Sequence, residues 1–400
     1  MDELIAYYLL LRNQHQPSYQ RYLYDKIDWN LRMIAIKGPR GAGKTTLLLQ
    51  HIRNSGKSPS EALYVTADHN WFYSNTLFEL ATTFYQHGGR HLYIDEVHKY
   101  PNWSRELKLI YDGFQDMKVI FTSSSALDIF RGESDLSRRV IPYTLYGLSF
   151  REFLELTTSK DFPQIPVESL FESSSKSLEF IMNGIQPLPL FKKYLHYGYL
   201  PIFKEEGGKE YLVPRMQQVI TTILENDLTF IENYSKSTAY KVKQLLGIIA
   251  QSIPFQPNIS SLARKLDVSR ESVYIWLDHL EKAMLINTLT KQGKSTSALQ
   301  KPAKIFLENT NLAYTFSSMP NIGNIRETFL FNQLSNAEVA LKLPSKGDFY
   351  LPEFDFTIEV GGKNKTSKQI KDVKNGFLAK DDIEFGFANT VPLWLFGFLY

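Results

Sequence analysis

Apolar positions along the chain follow two different periods. Short continuous runs at residues 31–36, 61–66, 91–94, 117–122 and 140–145 have the length and composition of buried strands. Between them the apolar residues recur at helical spacing. Leu4, Ile5, Tyr8, Leu9 and Leu11 predict a leading helix within residues 2–24, residues 46–51 open a second helix, and residues 75–86 form a third that ends at Gly88-Gly89. Strand and helix in alternation predict an α/β core on a parallel sheet.

Further along, the pattern changes. Over residues 155–187 the periodicity loosens, residues 173–177 are rich in serine, and Pro187-Leu188-Pro189 is a breaker cluster, so a linker or domain edge is expected there. A helical stretch follows through Ile220, Ile223, Glu225 and Asp227. Between residues 259 and 289, Leu262, Ala263 and Leu266 share one helix face, Asp267-Val268-Ser269 makes a tight turn, and Val273, Trp276, Leu277 and Leu280 share the face of a second helix. This spacing predicts a helix-turn-helix, with residues 285–289 starting a wing strand. Residues 393–400 read as a buried closing strand.

The junction of the first strand and its helix carries the strongest candidate chemistry. Gly38-Pro39-Arg40-Gly41-Ala42-Gly43-Lys44-Thr45 is a complete G-x-x-x-x-G-K-[ST] phosphate loop, and Thr46 continues into the helix. Its glycines let backbone N–H groups turn toward a polyphosphate, and the helix N-terminus adds the positive end of its dipole. Lys44 would reach the β- and γ-phosphates, and the Thr45 hydroxyl would hold Mg²⁺. The third strand runs straight into Asp95-Glu96, the arrangement of a Walker-B acid pair. Asp95 can bind the Mg²⁺ shell opposite Thr45, and Glu96 can orient and deprotonate the attacking water. The fourth strand ends in Thr122-Ser123-Ser124-Ser125. Thr122 or Ser123 would there sense the γ-phosphate or the water, unless the cluster only caps a helix. Arg138-Arg139 precedes the fifth strand. Either both are solvated, or Arg139 supplies transition-state charge, in cis or from a neighbouring subunit, an effect worth roughly 10³–10⁵ in rate.

Composition narrows the remaining options. A chain of 400 residues is long enough for several domains, and its 43% apolar and 22% charged content is ordinary for a globular protein. The net charge of +3 is too small to argue for nucleic acid, so such an argument has to be local. The absence of cysteine excludes disulfides and thiolate chemistry. His87, His91 and His98 are too separated for a zinc site. Met1-Asp2-Glu3 is acidic where a signal peptide needs a basic start, and no apolar run approaches the roughly 18 residues of a membrane helix. A cytoplasmic protein without membrane partners is expected.

The phosphate loop, IDEVHKYPNW at residues 94–103, FTSSSALDIFRGESDLSRRV at residues 121–140 and LSFREFL at residues 148–154 together resemble one group of proteins. These are the predicted prokaryotic AAA+/STAND-type ATPases of the archaeal-ATPase-like branch, with a C-terminal winged helix and a restriction-nuclease-like domain. The resemblance implies a P-loop ATPase domain with its leading helix over residues 1–155, a helical lid or linker over 156–235, a winged helix over 236–300, and an α/β nuclease-like domain over 301–400. It implies ATP and Mg²⁺ as cofactors, with adenine preferred over guanine. The family commonly has a glycine before the arginine that opens the fifth strand, where this chain has Arg138.

In the tail, Asp348, the strand-borne Glu359, Lys363 and the upstream helical Glu327 resemble the restriction-type nuclease site, in which two carboxylates hold Mg²⁺ and a lysine helps activate water. Active members want Glu-x-Lys, whereas Gly361 stands at the lysine position here and the nearest lysine is Lys363. In a strand that offset keeps the face but moves the ammonium by about 7 Å, so catalysis would need a bulge at Gly361-Gly362. Lys363, Lys365, Lys368, Lys371 and Lys374 form either a solvated helix face or a track for a phosphate backbone. The helix-turn-helix offers Arg270, Ser272 and Tyr274 but also Glu271 and Asp278, beside wing lysines Lys291, Lys294, Lys301 and Lys304. The expectation is Mg²⁺-dependent ATP binding with slow hydrolysis, used as a conformational switch. An ATP-gated DNA nuclease, and a regulator that binds DNA or protein with negligible turnover, are the alternatives; a protein partner or a homo-oligomer stays open.

Overall fold

Five short strands, β1 (Met33–Lys37), β2 (Ala62–Thr66), β3 (His91–Asp95), β4 (Lys118–Ser123) and β5 (Ile141–Thr144), form one sheet in the order β2-β3-β4-β1-β5, with every pair of neighbours parallel. Met33 to Ile36, Ala62 to Val65 and Leu92 to Ile94 are buried without a break. That is why these strands read as continuous apolar runs rather than alternating ones. Helices α1 (Asp2–Gln14), α2 (Lys44–Asn54), α3 (Leu77–Gln86) and α4 (Trp103–Gly113) connect and flank them. α3 starts where Thr76 and Glu79 make a reciprocal capping box. The computed structural model describes residues 1–14, 19–123, 136, 138–171, 185–205, 210–225, 228, 234–251, 256–291 and 302–400. Ser124, Ser125, the serine-rich residues 173–177, Asp227, Lys294 and Lys301 lie outside the described residues.

The chain divides into two compact units, Met1–Gly147 and Leu148–Tyr400. The break falls before helix α5 (Phe150–Thr158), within which the expected end of the ATPase domain at residue 155 lies. Two other details of the first unit differ from expectation. α1 is described over Asp2–Gln14, and turns follow from Tyr22 after the buried Arg21, whose guanidinium donates to the carbonyls of Ala42, Tyr146 and Gly147. β1 starts at Met33 because Arg32 turns aside, donating to Tyr111 O and Phe114 O at 2.7 and 3.1 Å.

The second unit continues with α6 (Val167–Phe171), α7 (Pro187–Lys193), α8 (Leu212–Glu225), α9 (Lys236–Gln251), α10 (Ile259–Leu266) and α11 (Arg270–Lys282). Asp267, left-handed at φ 51°, ends α10, and the Ser269 hydroxyl caps α11, so a tight turn joins the two helices. Strand β6 (Ile286–Leu289) pairs antiparallel with β7 (Lys304–Leu307). After α12 (Thr310–Phe316) and α13 (Ile322–Asn336) comes a four-stranded sheet in the order β11-β10-β9-β8. Here β8 (Phe349–Leu351) runs antiparallel to β9 (Phe356–Gly361), while β9, β10 (Gly376–Lys380) and β11 (Thr390–Pro392) are parallel. The expected closing strand is instead β11 followed by a 3₁₀ helix at Leu393–Phe398, buried throughout. Unbroken burial fits a short helix as well as a strand, and Pro392 has no N–H with which to extend the ladder.

Candidate nucleotide site

The phosphate loop begins where β1 leaves the sheet. A side chain at Gly38 would put its Cβ 2.1 Å from Leu145 O, so the loop can lie against the end of β5 only with glycine there. Gly41 and Gly43 turn the backbone at φ +85° and +95°, a region closed to most side chains. Gly43 is also the N-cap of α2 and brings no capping side chain, which leaves the first N–H groups of the helix for an incoming anion. Pro39 O accepts from Ala42 N at 3.2 Å inside the loop, and the buried Arg21 guanidinium donates to Ala42 O from outside it. Arg40 stands half-buried at the third position. The buried Lys44 folds its Nζ back over the loop, donating to Gly38 O at 2.8 Å and Pro39 O at 3.0 Å. Thr46 follows Thr45 in the first turn of α2.

Asp95 stands opposite the start of α2, at the tip of β3. The register Ile94↔Phe121 in β3–β4 and Ile36↔Thr122 in β1–β4 brings the tips of three strands level. Three hydroxyls converge on the Asp95 carboxylate: Thr45 at 2.6 Å, Tyr64 from β2 at 2.8 Å, and Thr122 from β4. Burial, and then the negative Asp95, push the Tyr64 phenol well above its ordinary value, so it stays protonated and donates. Oxygen donors of this kind, a threonine hydroxyl and a carboxylate across a short gap, suit a hard divalent cation.

The next residue takes a left-handed backbone, φ 53°, rare for a glutamate. The Glu96 N–H donates to Thr122 Oγ1 at 2.9 Å. Burial raises the Glu96 carboxyl above the ordinary range and Asp95 raises it further, while Lys44 and Arg40 pull it down. His98 Nε2 lies 3.7 Å from Glu96 Oε2, and His98 Nδ1 lies 3.2 Å from Ser123 Oγ. Burial, with the charges of Lys99, Lys44 and Arg40, holds the imidazole down at about 3, so His98 is neutral. A neutral ring facing a carboxylate presents its N–H to it, which leaves Nδ1 to accept from Ser123. No local pattern points to this pairing, because the partners of His98 come from a different strand and from Glu96.

Arg139 is placed elsewhere. The register Ile34↔Ile141 to Lys37↔Thr144 sets the start of β5 beside the start of β1, and the phosphate loop follows the other end. The Arg139 guanidinium grips Asp112, at the end of α4, with two contacts of 2.9 Å. Contribution of this arginine in cis is therefore corrected: the length of a strand separates it from the loop of its own chain.

In the second unit the acids expected to form a nuclease-like site do come together, with different lysines. Lys304 Nζ bridges Glu327 Oε2 at 3.0 Å and Asp348 Oδ1 at 3.4 Å, and Asp348 Oδ2 accepts from Val360 N at 2.9 Å. Lys365, not Lys363, pairs with Glu359. It curls over Gly361, where a side chain would strike its Cγ at 2.3 Å. No bulge is needed, because the lysine reaches back from beyond the strand. Burial raises the Glu327 and Glu359 carboxyls; Lys304, which burial alone would lower, is held up by Glu327 and Asp348. Among the described residues no group of three or more acids or histidines has the geometry of a metal site.

Residues 30–154 match the family described as AAA domain, and residues 188–322 match a domain of unknown function (DUF8612). Among solved structures, the Walker-type ATPase of Pyrococcus abyssi is 12% identical, with 74% of this chain and 95% of that chain covered at a TM-score of 0.44. AMPPCP-bound DnaA of Aquifex aeolicus is 12% identical, with 70% and 88% covered at a TM-score of 0.26. No curated protein matches the chain. Residues 30–154, which match the AAA domain model, contain all five strands of the parallel sheet β2-β3-β4-β1-β5. No described helix is long and apolar enough to cross a membrane.

Proposed function

We propose that the first unit binds Mg²⁺–ATP and hydrolyses it slowly, as a conformational switch. The observation that carries this reading is the 2.6 Å contact of Thr45 with Asp95, which joins the phosphate loop to the acid of β3 with Glu96 beside it. Lys44 would leave its two loop carbonyls for the β- and γ-phosphates. Thr45 and Asp95 would hold Mg²⁺, which when bound offsets phosphate charge. Glu96 takes the proton of the attacking water as its oxygen bonds to the γ-phosphorus and the bond to the β–γ bridging oxygen breaks. A raised carboxyl is a better base for that step than an ordinary one. Thr122 and Ser123 relate this acid to β4, as sensors of the site. Arg139 can serve a nucleotide only when that nucleotide belongs to a second copy, so its part requires a homo-oligomer.

The test is a pair of variants. Lys44→Ala abolishes binding of a labelled ATP analogue, while Glu96→Gln keeps binding and loses turnover. Equal turnover in Glu96→Gln removes Glu96 from the mechanism.

For the second unit, the helix pair α10–α11 with β6–β7 reads as a winged helix, and the sheet β8–β11 as a nuclease-like scaffold that contacts DNA or protein without cutting. Lys304 favours this over an active nuclease, because its ammonium already sits between Glu327 and Asp348. Mg²⁺-dependent cleavage of plasmid DNA that Glu359→Ala eliminates would restore the nuclease.

A further inference from the structure

Within the phosphate loop one donor is unaccounted for. Arg40 Nη1 is buried and has no hydrogen-bond partner, and no carboxylate makes an ion pair with its guanidinium among the described residues. Buried donors on a charged group are rarely left unpaired, because the group has given up its water for nothing. The guanidinium is nevertheless close enough to act on two other side chains: with Lys44 it lowers the Glu96 carboxyl, and with Lys99 and Lys44 it lowers the His98 imidazole. Arg40 stands at the third position of the phosphate loop, next to the left-handed Gly41, so its unpaired donor belongs to the segment that would hold a polyphosphate. The N–H groups at the start of α2 serve the phosphates nearer the helix, and Lys44, reaching the β- and γ-phosphates, would share the terminal one with Arg40.

We infer that Arg40 is a catalytic residue of this site, a γ-phosphate ligand supplied in cis that stabilises the phosphoryl group in flight. This inference rests on the ATP reading of the same loop. It gives Arg40 the role that the sequence had offered to Arg139. A planar fork suits two phosphate oxygens at once, which a lysine cannot match, and the orphaned Nη1 is completed only when a third phosphate is present. Arg40 is accordingly the element that separates ATP from ADP.

The experiment uses the full chain with Mg²⁺. Affinities for ADP and for a non-hydrolysable ATP analogue, together with kcat, are measured for wild type, Arg40→Ala, Arg40→Gln and Arg40→Lys. In Arg40→Ala the preference for the ATP analogue over ADP falls on the order of tenfold or more, with ADP affinity kept within about threefold. Its kcat falls roughly 10²–10³-fold. Arg40→Lys recovers part of the preference, through its charge, and little of the rate. Should Arg40→Ala lose its fold, Arg40→Gln keeps the stem and is judged by the same ratio. Wild-type preference and rate in either folded variant overturn the inference. So does an equal loss of ADP and ATP analogue in both, which makes Arg40 a structural part of the loop. A wild-type chain that binds neither nucleotide overturns the ATP reading itself, and the inference with it, and is told apart by needing no variant.

Discussion

Asp95 in the first unit receives hydrogen bonds from the hydroxyls of Thr45, Tyr64 and Thr122. Glu327 and Asp348 in the second unit share the ammonium of Lys304, and Glu359 takes that of Lys365. Both arrangements satisfy acids that have lost water, but they leave opposite things behind. Hydroxyl dipoles support a negative charge without cancelling it, and each can turn toward a new ligand. An ammonium cancels the charge and has to be displaced before another cation can enter. The first centre thus holds its acid with neutral hydroxyls, and the second carries its cation within the fold.

The largest effect expected from this contrast is at Lys304. Its side chain is only 10% exposed, and those of Glu327 and Asp348 are 16% and 18% exposed. Lys304→Met leaves two half-desolvated acids with no cation, a change worth about 3–4 kcal/mol of stability. Urea unfolding of the full chain measures it, and millimolar Mg²⁺ recovers part of the loss in the variant alone. A loss below about 1 kcal/mol, the level of an exposed ion pair, breaks the comparison, because the acids would then be adequately solvated.

A third acid sharpens the contrast, since among the described residues no cationic side chain pairs with it. Glu308 is fully buried and accepts from Tyr199 Oη, Asn309 Nδ2 and Asn332 Nδ2 at 2.5, 2.6 and 3.0 Å. Burial outweighs these donors and pushes its carboxyl up to about 7. Between the ordinary carboxyl value, near 4.5, and about 7, the folded chain holds this proton and the unfolded chain does not. Stability therefore falls as pH rises through that window, by at most about 3 kcal/mol, and levels off above it. Glu308→Gln flattens that slope. An unchanged slope in the variant would assign the pH dependence to another group.

What could be read from the sequence was whatever depends on neighbours along the chain. The phosphate loop was legible because its glycines, Lys44 and Thr45 work at fixed local spacing, and Asp95-Glu96 because a strand delivers them together. Arg21, His98 and Lys304 were not legible, since each acts on residues distant in sequence: Arg21 on Ala42 and Gly147, His98 on Ser123, Lys304 on Glu327 and Asp348. Lys304 reads as a basic wing residue in the sequence, because a charge in a lysine-rich stretch looks solvated until the fold buries it. Lys363 is the lysine nearest the Glu-x-Lys position, yet the chain leaves the strand at Gly361, and the longer return carries Lys365 back to Glu359. The place of Arg139 needed the register of β5 against β1, which no local pattern encodes.

The smallest effect returns to Asp95. Tyr64→Phe removes one of its three hydroxyls and keeps the ring in place, so the loss is one hydrogen bond to a charged group, about 1 kcal/mol or slightly more. Asp95 keeps Thr122, and Thr45 remains free to choose between the acid and the metal. Mg²⁺-dependent nucleotide affinity should then weaken by about fivefold, with Mg²⁺-independent affinity unchanged. Unchanged Mg²⁺ dependence would show that Tyr64 does not help hold the acid. A loss of a hundredfold or more would show the opposite of redundancy: the phenol would be fixing the only carboxylate orientation the metal accepts, and the first centre would be as rigidly built as the second.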